Sequence, residues 1–175
     1  MGEEIKHSCG LFAIASLNKQ VAIDIFNGLI ALQHRGQESA GIAVFDGMRI
    51  VVHKEMGLVS QVFTDKLLQG LYGSVGIGHV RYSTTGSSSI ENAQPCFLKT
   101  AGKKIAVGLN GNIVNYKELK QEFLDKGWVF TTSTDTELIA EMLAIELQKN
   151  ESVFEACKKI MLRLDGAYCV LALTS

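Results

Sequence analysis

Ser8-Cys9-Gly10-Leu11-Phe12-Ala13-Ile14-Ala15-Ser16 reads as an apolar β-strand with a cysteine at its head. Removal of residues 1–8 would make Cys9 an N-terminus that carries a thiol and a free α-amine on one residue. An α-amine titrates at about 7.7–8.0, and a thiol is only a few per cent thiolate near neutrality. Such an amine can therefore take the thiol proton, and no histidine is required. Cys9 suits a second role equally, as a small buried residue of a core strand, because free cysteine is among the most buried residue types. The leader 1–8 is charged, lacks the apolar core of a secretory signal, and fits either a frayed terminus or a propeptide. A myristoylation pattern at Gly2 fails, because position 6 is Lys6.

Outward from this strand, the spacing predicts a helix over 18–34 capped by Asn18, with Val21, Ile25, Phe26, Leu29, Ile30 and Leu32 as its apolar stripe. Two apolar runs around Asp46-Gly47 predict a β-hairpin over 41–54, and a short helix follows over 60–69. The stretch 74–81 reads as a strand whose glycines mark close approach of another backbone or a ligand. Residues 82–95 are too polar for an element, and a loop of this length is uncommon unless functional or disordered. A strand over 104–109 ends at Asn110-Gly111-Asn112, where a turn of positive φ is natural, and Asn115 caps a helix through Lys126 with Gly127 behind it. A short strand over 128–132, a helix from a Thr134-to-Glu137 capping box to about Gln148, a helix from Ser152 to about Leu164 and a strand over 167–174 complete the chain. The hairpin and the direct strand-to-strand links predict an α+β domain with mainly antiparallel sheets.

At 175 residues the chain fits one domain. Its net charge of -1 provides no electrostatic footprint for nucleic acid or an anionic membrane, and no run of apolar residues is long enough to span a bilayer. Cys9, Cys96, Cys157 and Cys169 form no C-x-x-C pair and are expected to be reduced in a cytoplasmic protein. His7, His34, His53 and His79 have no metal-ligand spacing, and no phosphate-binding glycine fingerprint follows a strand.

Three clusters at loop edges carry possible chemistry. Arg81, at a strand end beside Ser83, Thr84 and Thr85, can fork onto a carboxylate, though a solvated arginine would look the same. Asn110-Gly111 offers a side-chain amide and a backbone N–H in sequence, the parts of an oxyanion hole and equally of an ordinary turn. Asp135 at a helix start can bind an ammonium group or merely complement the helix dipole. Together with the Cys9 thiol, these groups match a free amino acid that has an electrophilic carbonyl in its side chain. Glutamine fits.

The stretches Cys9-Gly-Leu-Phe-Ala-Ile14, Leu32-Gln-His-Arg-Gly-Gln-Glu-Ser-Ala-Gly-Ile42, Gly76-Ile-Gly-His-Val-Arg-Tyr-Ser-Thr-Thr-Gly-Ser-Ser88, Asn110-Gly-Asn-Ile-Val-Asn115 and Ser133-Thr-Asp-Thr-Glu137 occur in this order. On them the chain resembles the glutaminase domains of the amidophosphoribosyltransferase family, which are class II glutamine amidotransferases. The resemblance runs from Cys9 to the last residue. It implies an N-terminal-nucleophile hydrolase fold, a four-layer α/β/β/α sandwich, in which glutamine is hydrolysed to glutamate and ammonia for purine synthesis. Cys9 would form a thioester, Asn110 and Gly111 would hold the oxyanion, Arg81 and Thr84 the substrate carboxylate, and Asp135 the substrate amine. Arg35 and Gly36 would close over the nucleophile.

The resemblance also implies residues 1–8 as a propeptide and 9–175 as a glutaminase domain incomplete at its C-terminal end, with an open strand edge there. The phosphoribosyltransferase domain is absent, and with it the means to make phosphoribosylamine. Magnesium, and in some members an iron–sulfur cluster, is implied for the full-length family protein, which is expected to be a homo-oligomer; no cofactor is expected in this chain. With Ser8 attached, the Cys9 nitrogen is an amide and the site should be inert. Two other readings compete: a silent glutamine-binding or interaction domain, and the glutaminase of another amidotransferase such as glucosamine-phosphate synthase.

Overall fold

The computed structural model describes residues 9–82, 88–100, 102–149 and 152–175. The leader 1–8 and Thr84 lie outside them. The strand that follows Cys9, β1 (Gly10–Ala15), pairs antiparallel with β4 (Val75–Arg81), which also pairs with β2 (Ser39–Phe45). With β3 (Ile50–Met56) as the hairpin partner of β2, the sheet order is β1-β4-β2-β3. A second antiparallel sheet has the order β5-β6-β7, from β5 (Cys96–Thr100), β6 (Lys103–Ile113) and β7 (Gly166–Thr174).

Strand alternation sorts the side chains into layers. Ala40, Ile42 and Val44 of β2 face the helices α1 (Ala22–Leu32), α2 (Val59–Val62) and α3 (Asp65–Gly70), and Ala43 between them joins Ile50, Ile77, Ala106 and Leu173 in the seam between the sheets. On the far side, Ile105, Val107 and Leu109 of β6 pack against α5 (Asp135–Gln148), with α4 (Tyr116–Asp125) and α6 (Val153–Met161) around it. The result is the expected α/β/β/α sandwich. Gly76 and Gly78 explain how α1 reaches the first sheet. A Cβ at Gly76 would lie 2.6 Å from Ile25, and one at Gly78 would lie 2.5 Å from Ile25 and 2.9 Å from Leu29.

Several boundaries differ from the sequence reading. The first helix starts at Ala22 with Val21 at its N-cap rather than Asn18, and it ends in a 3₁₀ turn, Gln33–Arg35. The helix expected over 60–69 is broken into α2 and α3, because Thr64 adopts an extended conformation and its side chain caps the Leu67 N–H. The polar stretch 82–95 contains a 3₁₀ turn, Ile90–Asn92, and leads into β5, which the sequence did not announce. Asn110-Gly111-Asn112 does not reverse the chain. Gly111 has φ 135°, but β6 absorbs it opposite Tyr168 and continues to Ile113.

No strand forms over 128–132. Trp128 packs edge-on and Phe130 tilted against Phe123, with ring centroids 5.5 and 6.2 Å away, while the N–H groups of Thr131 and Thr132 turn to the Glu137 carboxylate. That contact also replaces the expected capping box, so Thr134 occupies the N-cap of α5 without a side-chain cap bond. Asn115 stands at the N-cap of α4, yet its side chain bonds the Asp165 N–H and the Arg163 carbonyl. Among the described residues β7 pairs only with β6, and no helix is long and apolar enough to cross a membrane.

Candidate active site

The register Gly10↔Val80 sets Cys9 beside the end of β4. There the Cys9 Sγ lies 3.5 Å from the Tyr82 N and 3.6 Å from the Tyr82 O, and Arg35 Nε donates to the Cys9 carbonyl at 3.1 Å. Burial pushes the thiol pKa up, against the Tyr82 backbone and the Arg81 charge, which pull it down. A thiol held this way is protonated near neutrality and needs a proton acceptor close by. Gly36 packs so tightly on the end of β4 that a Cβ there would lie 2.7 Å from the Arg81 backbone. Arg35 thus touches the nucleophile's own main chain, while Gly36 lets the turn that carries it come close.

Arg81 is buried, and its Nη1 donates to the Glu38 carboxylate. The Glu38 N–H in turn donates to the Arg81 carbonyl at 3.1 Å. Glu38 therefore fixes both the main chain and the fork of Arg81, a partnership across 43 positions that local sequence does not reveal.

One pocket is lined by Cys9, Arg81, Tyr82, Gln94, Leu109, Gly111, Thr134 and Asp135. Four residues singled out from the sequence, Cys9, Arg81, Gly111 and Asp135, thereby meet from the head of β1, the end of β4, β6 and the start of α5. Asn110 is half-buried and does not line this pocket, although its neighbours on both sides do. It shares a strand face with Gly108, where a Cβ would lie 2.8 Å from Leu11 and 3.8 Å from His79. That face looks toward β1. Gln94, Leu109 and Tyr82 are lining residues that sequence reasoning missed, and the only available signal was that Gln94 precedes the single proline.

Burial pushes the Asp135 carboxyl up, opposed by the Ile113 N–H and the N–H groups of Asp135 and Thr136. The approach to Asp135 is fastened by buried Glu137, whose Oε1 accepts the Thr131 N–H and hydroxyl at 2.8 and 2.7 Å. Its Oε2 accepts those of Thr132 at 2.6 and 2.7 Å. Asn92 adds a second tie to Ser133, accepting its N–H at 3.2 Å and donating to its hydroxyl at 3.1 Å.

Burial alone would raise the Glu137 pKa, but the donors on Thr131 and Thr132 outweigh it and hold the carboxyl below its ordinary value. Its stabilisation is therefore full above the unfolded carboxyl pKa and is lost as pH falls through the lower folded one. Glu137→Ala should cost about 3 kcal/mol near neutrality by orphaning these donors, and the gap from the parent should close in acid. Denaturant melts at pH 7 and pH 3 check this; an equal gap at both would show the charge on Glu137 to be irrelevant.

Among the described residues no three His, Cys, Asp or Glu side chains converge to hold a metal.

Comparison with known proteins gives the family of the chain. A model of the glutamine amidotransferase domain matches residues 79–175. The amidophosphoribosyltransferase of Methanocaldococcus jannaschii is 50% identical over 164 residues, 93% of this chain and 35% of its own length. That of Synechococcus elongatus is 50% identical over 163 residues, 93% of this chain and 33% of its own length. Among solved structures, the glutamine phosphoribosylpyrophosphate amidotransferase from B. subtilis, complexed with ADP and GMP, has a TM-score of 0.79 and 34% identity. It covers 95% of this chain and 35% of its own. A structure of the allosteric regulatory enzyme of purine biosynthesis gives 0.80 and 35%, with the same coverage. The chain thus spans about a third of the length of the curated relatives it matches.

Proposed function

The chain belongs to the glutamine amidotransferase domain family, and from that premise we propose that Cys9, freed of residues 1–8, is the nucleophile that attacks the side-chain amide of glutamine and releases its nitrogen as ammonia. The observation that carries this is the meeting of Cys9, Arg81, Gly111 and Asp135 in one pocket. A guanidinium and a carboxylate on its walls suit the two charges of a free amino acid, and the thiol lies between strand ends where a side-chain carbonyl can reach it.

The Cys9 α-amine takes the thiol proton, and Sγ adds to the δ-carbonyl carbon of glutamine. The oxyanion that forms is held by the Asn110 side-chain amide and the Gly111 N–H. Gly111 shares the strand parity of Leu109, whose N–H points away from β7, and this supports an inward N–H at Gly111. As the intermediate collapses, the C–N bond breaks and the α-ammonium returns its proton to the departing nitrogen, leaving a thioester and ammonia. Water then adds to the thioester with the α-amine as base, and glutamate leaves as the thiol is restored. Arg81, oriented by Glu38, holds the substrate carboxylate with help from Thr84, and Asp135 holds the ammonium. In a whole protein of the amidophosphoribosyltransferase kind, the ammonia would pass to a phosphoribosyltransferase domain.

Intact mass after expression, with ammonia release from glutamine on the same sample, tests the proposal. Loss of residues 1–8 together with turnover is the expected result; a trimmed, folded sample that releases no ammonia refutes it. Asp135→Asn should raise KM for glutamine about 10- to 100-fold, the worth of a charge-assisted hydrogen bond, with a smaller change in kcat. Because burial raises the Asp135 pKa, the parent's KM should climb on acidification before ordinary carboxylates titrate. The Asn variant should lack that climb. An unchanged KM would remove Asp135 from the substrate site.

A further inference from the structure

β5 ends at Cys96, opposite Val107, and beyond that point β6 has lost its neighbour on one side. In an antiparallel ladder the N–H and C=O of alternate residues point the same way, so Leu109 directs both of its groups to where β5 would have continued. Continuing the register Cys96↔Val107 by two residues brings Gln94 opposite Leu109. The chain does not continue there as a strand: β5 begins only at Cys96, after Pro95.

Side chains take over the ladder's work. Gln94 Oε1 accepts the Leu109 N–H at 2.6 Å, and His79 Nε2 lies 3.0 Å from the Leu109 carbonyl oxygen. Both side chains are buried, Gln94 at 6% exposure and His79 at 0%. Because a carbonyl only accepts, the proton sits on His79 Nε2 and the buried, unpartnered Nδ1 is bare. Burial holds the ring pKa down to about 4, which keeps it neutral at physiological pH. Gly108 lies beside the pair: a Cβ there would make only ordinary contact with His79 and Gln94 Oε1, at 3.8 and 4.0 Å, and would crowd Leu11 at 2.8 Å.

We infer that Gln94 and His79 are positioning residues for the oxyanion hole. By clamping both polar groups of Leu109 where β5 no longer does, they set the course of β6 over the next two residues, Asn110 and Gly111. This rests on the reading of those two residues as the oxyanion donors. A loosened clamp leaves the nucleophile and the substrate-charge anchors in place and misdirects the donors, so it weakens stabilisation of the tetrahedral intermediate more than binding.

The test is Gln94→Leu in the trimmed protein. Expected is a fall in kcat for glutamine hydrolysis of about 10- to 100-fold, with KM held within about threefold. Alkylation of Cys9 by iodoacetamide, a displacement at saturated carbon that forms no oxyanion, should keep its rate. His79→Leu should reproduce the pattern, and His79→Gln, whose amide N–H reaches about as far as Nε2, should recover most of the loss. Unchanged kcat in a folded Gln94→Leu protein overturns the inference, as does a parallel loss of kcat and alkylation or a His79→Gln no better than His79→Leu. A parent protein without glutaminase activity would instead sink the functional reading on which the inference rests.

Discussion

Cys9→Ala in the trimmed protein is expected to lower ammonia release by about 10⁴-fold or more, the scale of removing a nucleophile from a covalent mechanism. The protein should stay folded, because the Cys9 side chain is only half-buried and its hydrogen-bond contacts are to the Tyr82 backbone. A form that keeps one extra residue before Cys9 should be nearly as inactive while its thiol remains present. Its Cys9 nitrogen is an amide, which cannot accept the proton from a thiol that burial holds in the neutral form. Coupled ammonia assays on both forms, with melting temperatures alongside, decide the matter. Activity within about 100-fold of the parent in either would show that this cysteine is not acting as both nucleophile and base.

The sequence disclosed those parts of this site whose signal is local. Asp46-Gly47 sits between two apolar runs and does form the hairpin turn, with Gly47 at φ 97°. Gly76 and Gly78 announced the close approach of a backbone or a ligand, and what comes close from α1 is the side chains of Ile25 and Leu29. Cys9, Arg81, Gly111 and Asp135 were named from their chemistry, and the structure brings them to one pocket. What stayed hidden depends on partners distant in the chain. β5 is a short run with a lysine in it and becomes a strand only because β6 offers an edge. Residues 128–132 have strand-like composition, but Glu137 takes the N–H groups of Thr131 and Thr132 and adds a bond to each hydroxyl. Glu38 and Gln94 looked like ordinary polar residues and Glu137 like a helix cap; each matters through what it holds, Arg81, Leu109 and the approach to Asp135. Motif reading finds groups that touch a substrate. It passes over the groups that aim them.

Asn110→Ala should reduce kcat for glutamine about 10²- to 10³-fold, equivalent to about 2.7–4 kcal/mol of transition-state stabilisation, and change KM by only a few-fold. Asn110 is a cleaner probe than Gly111. Any side chain at Gly111 meets the Ala167 carbonyl and lies 2.5 Å from Tyr168 Cα, at a φ of 135° that L residues rarely adopt, so its loss of activity would be confounded with strain. Asn110 is half-buried, pairs through its backbone with Cys169, and lies outside the pocket as it stands. Its amide must therefore engage when substrate arrives, which makes the kcat effect the decisive readout; a rate within about fivefold of the parent would show that it is not an oxyanion donor. Coupling to the clamp follows from the same geometry. If Gln94 acts through the donors on β6, Gln94→Leu should cost far less on the Asn110→Ala background than on the parent, because much of what it would misalign is already gone. Additive losses would mean that Gln94 works through Gly111 alone or through some other part of the pocket.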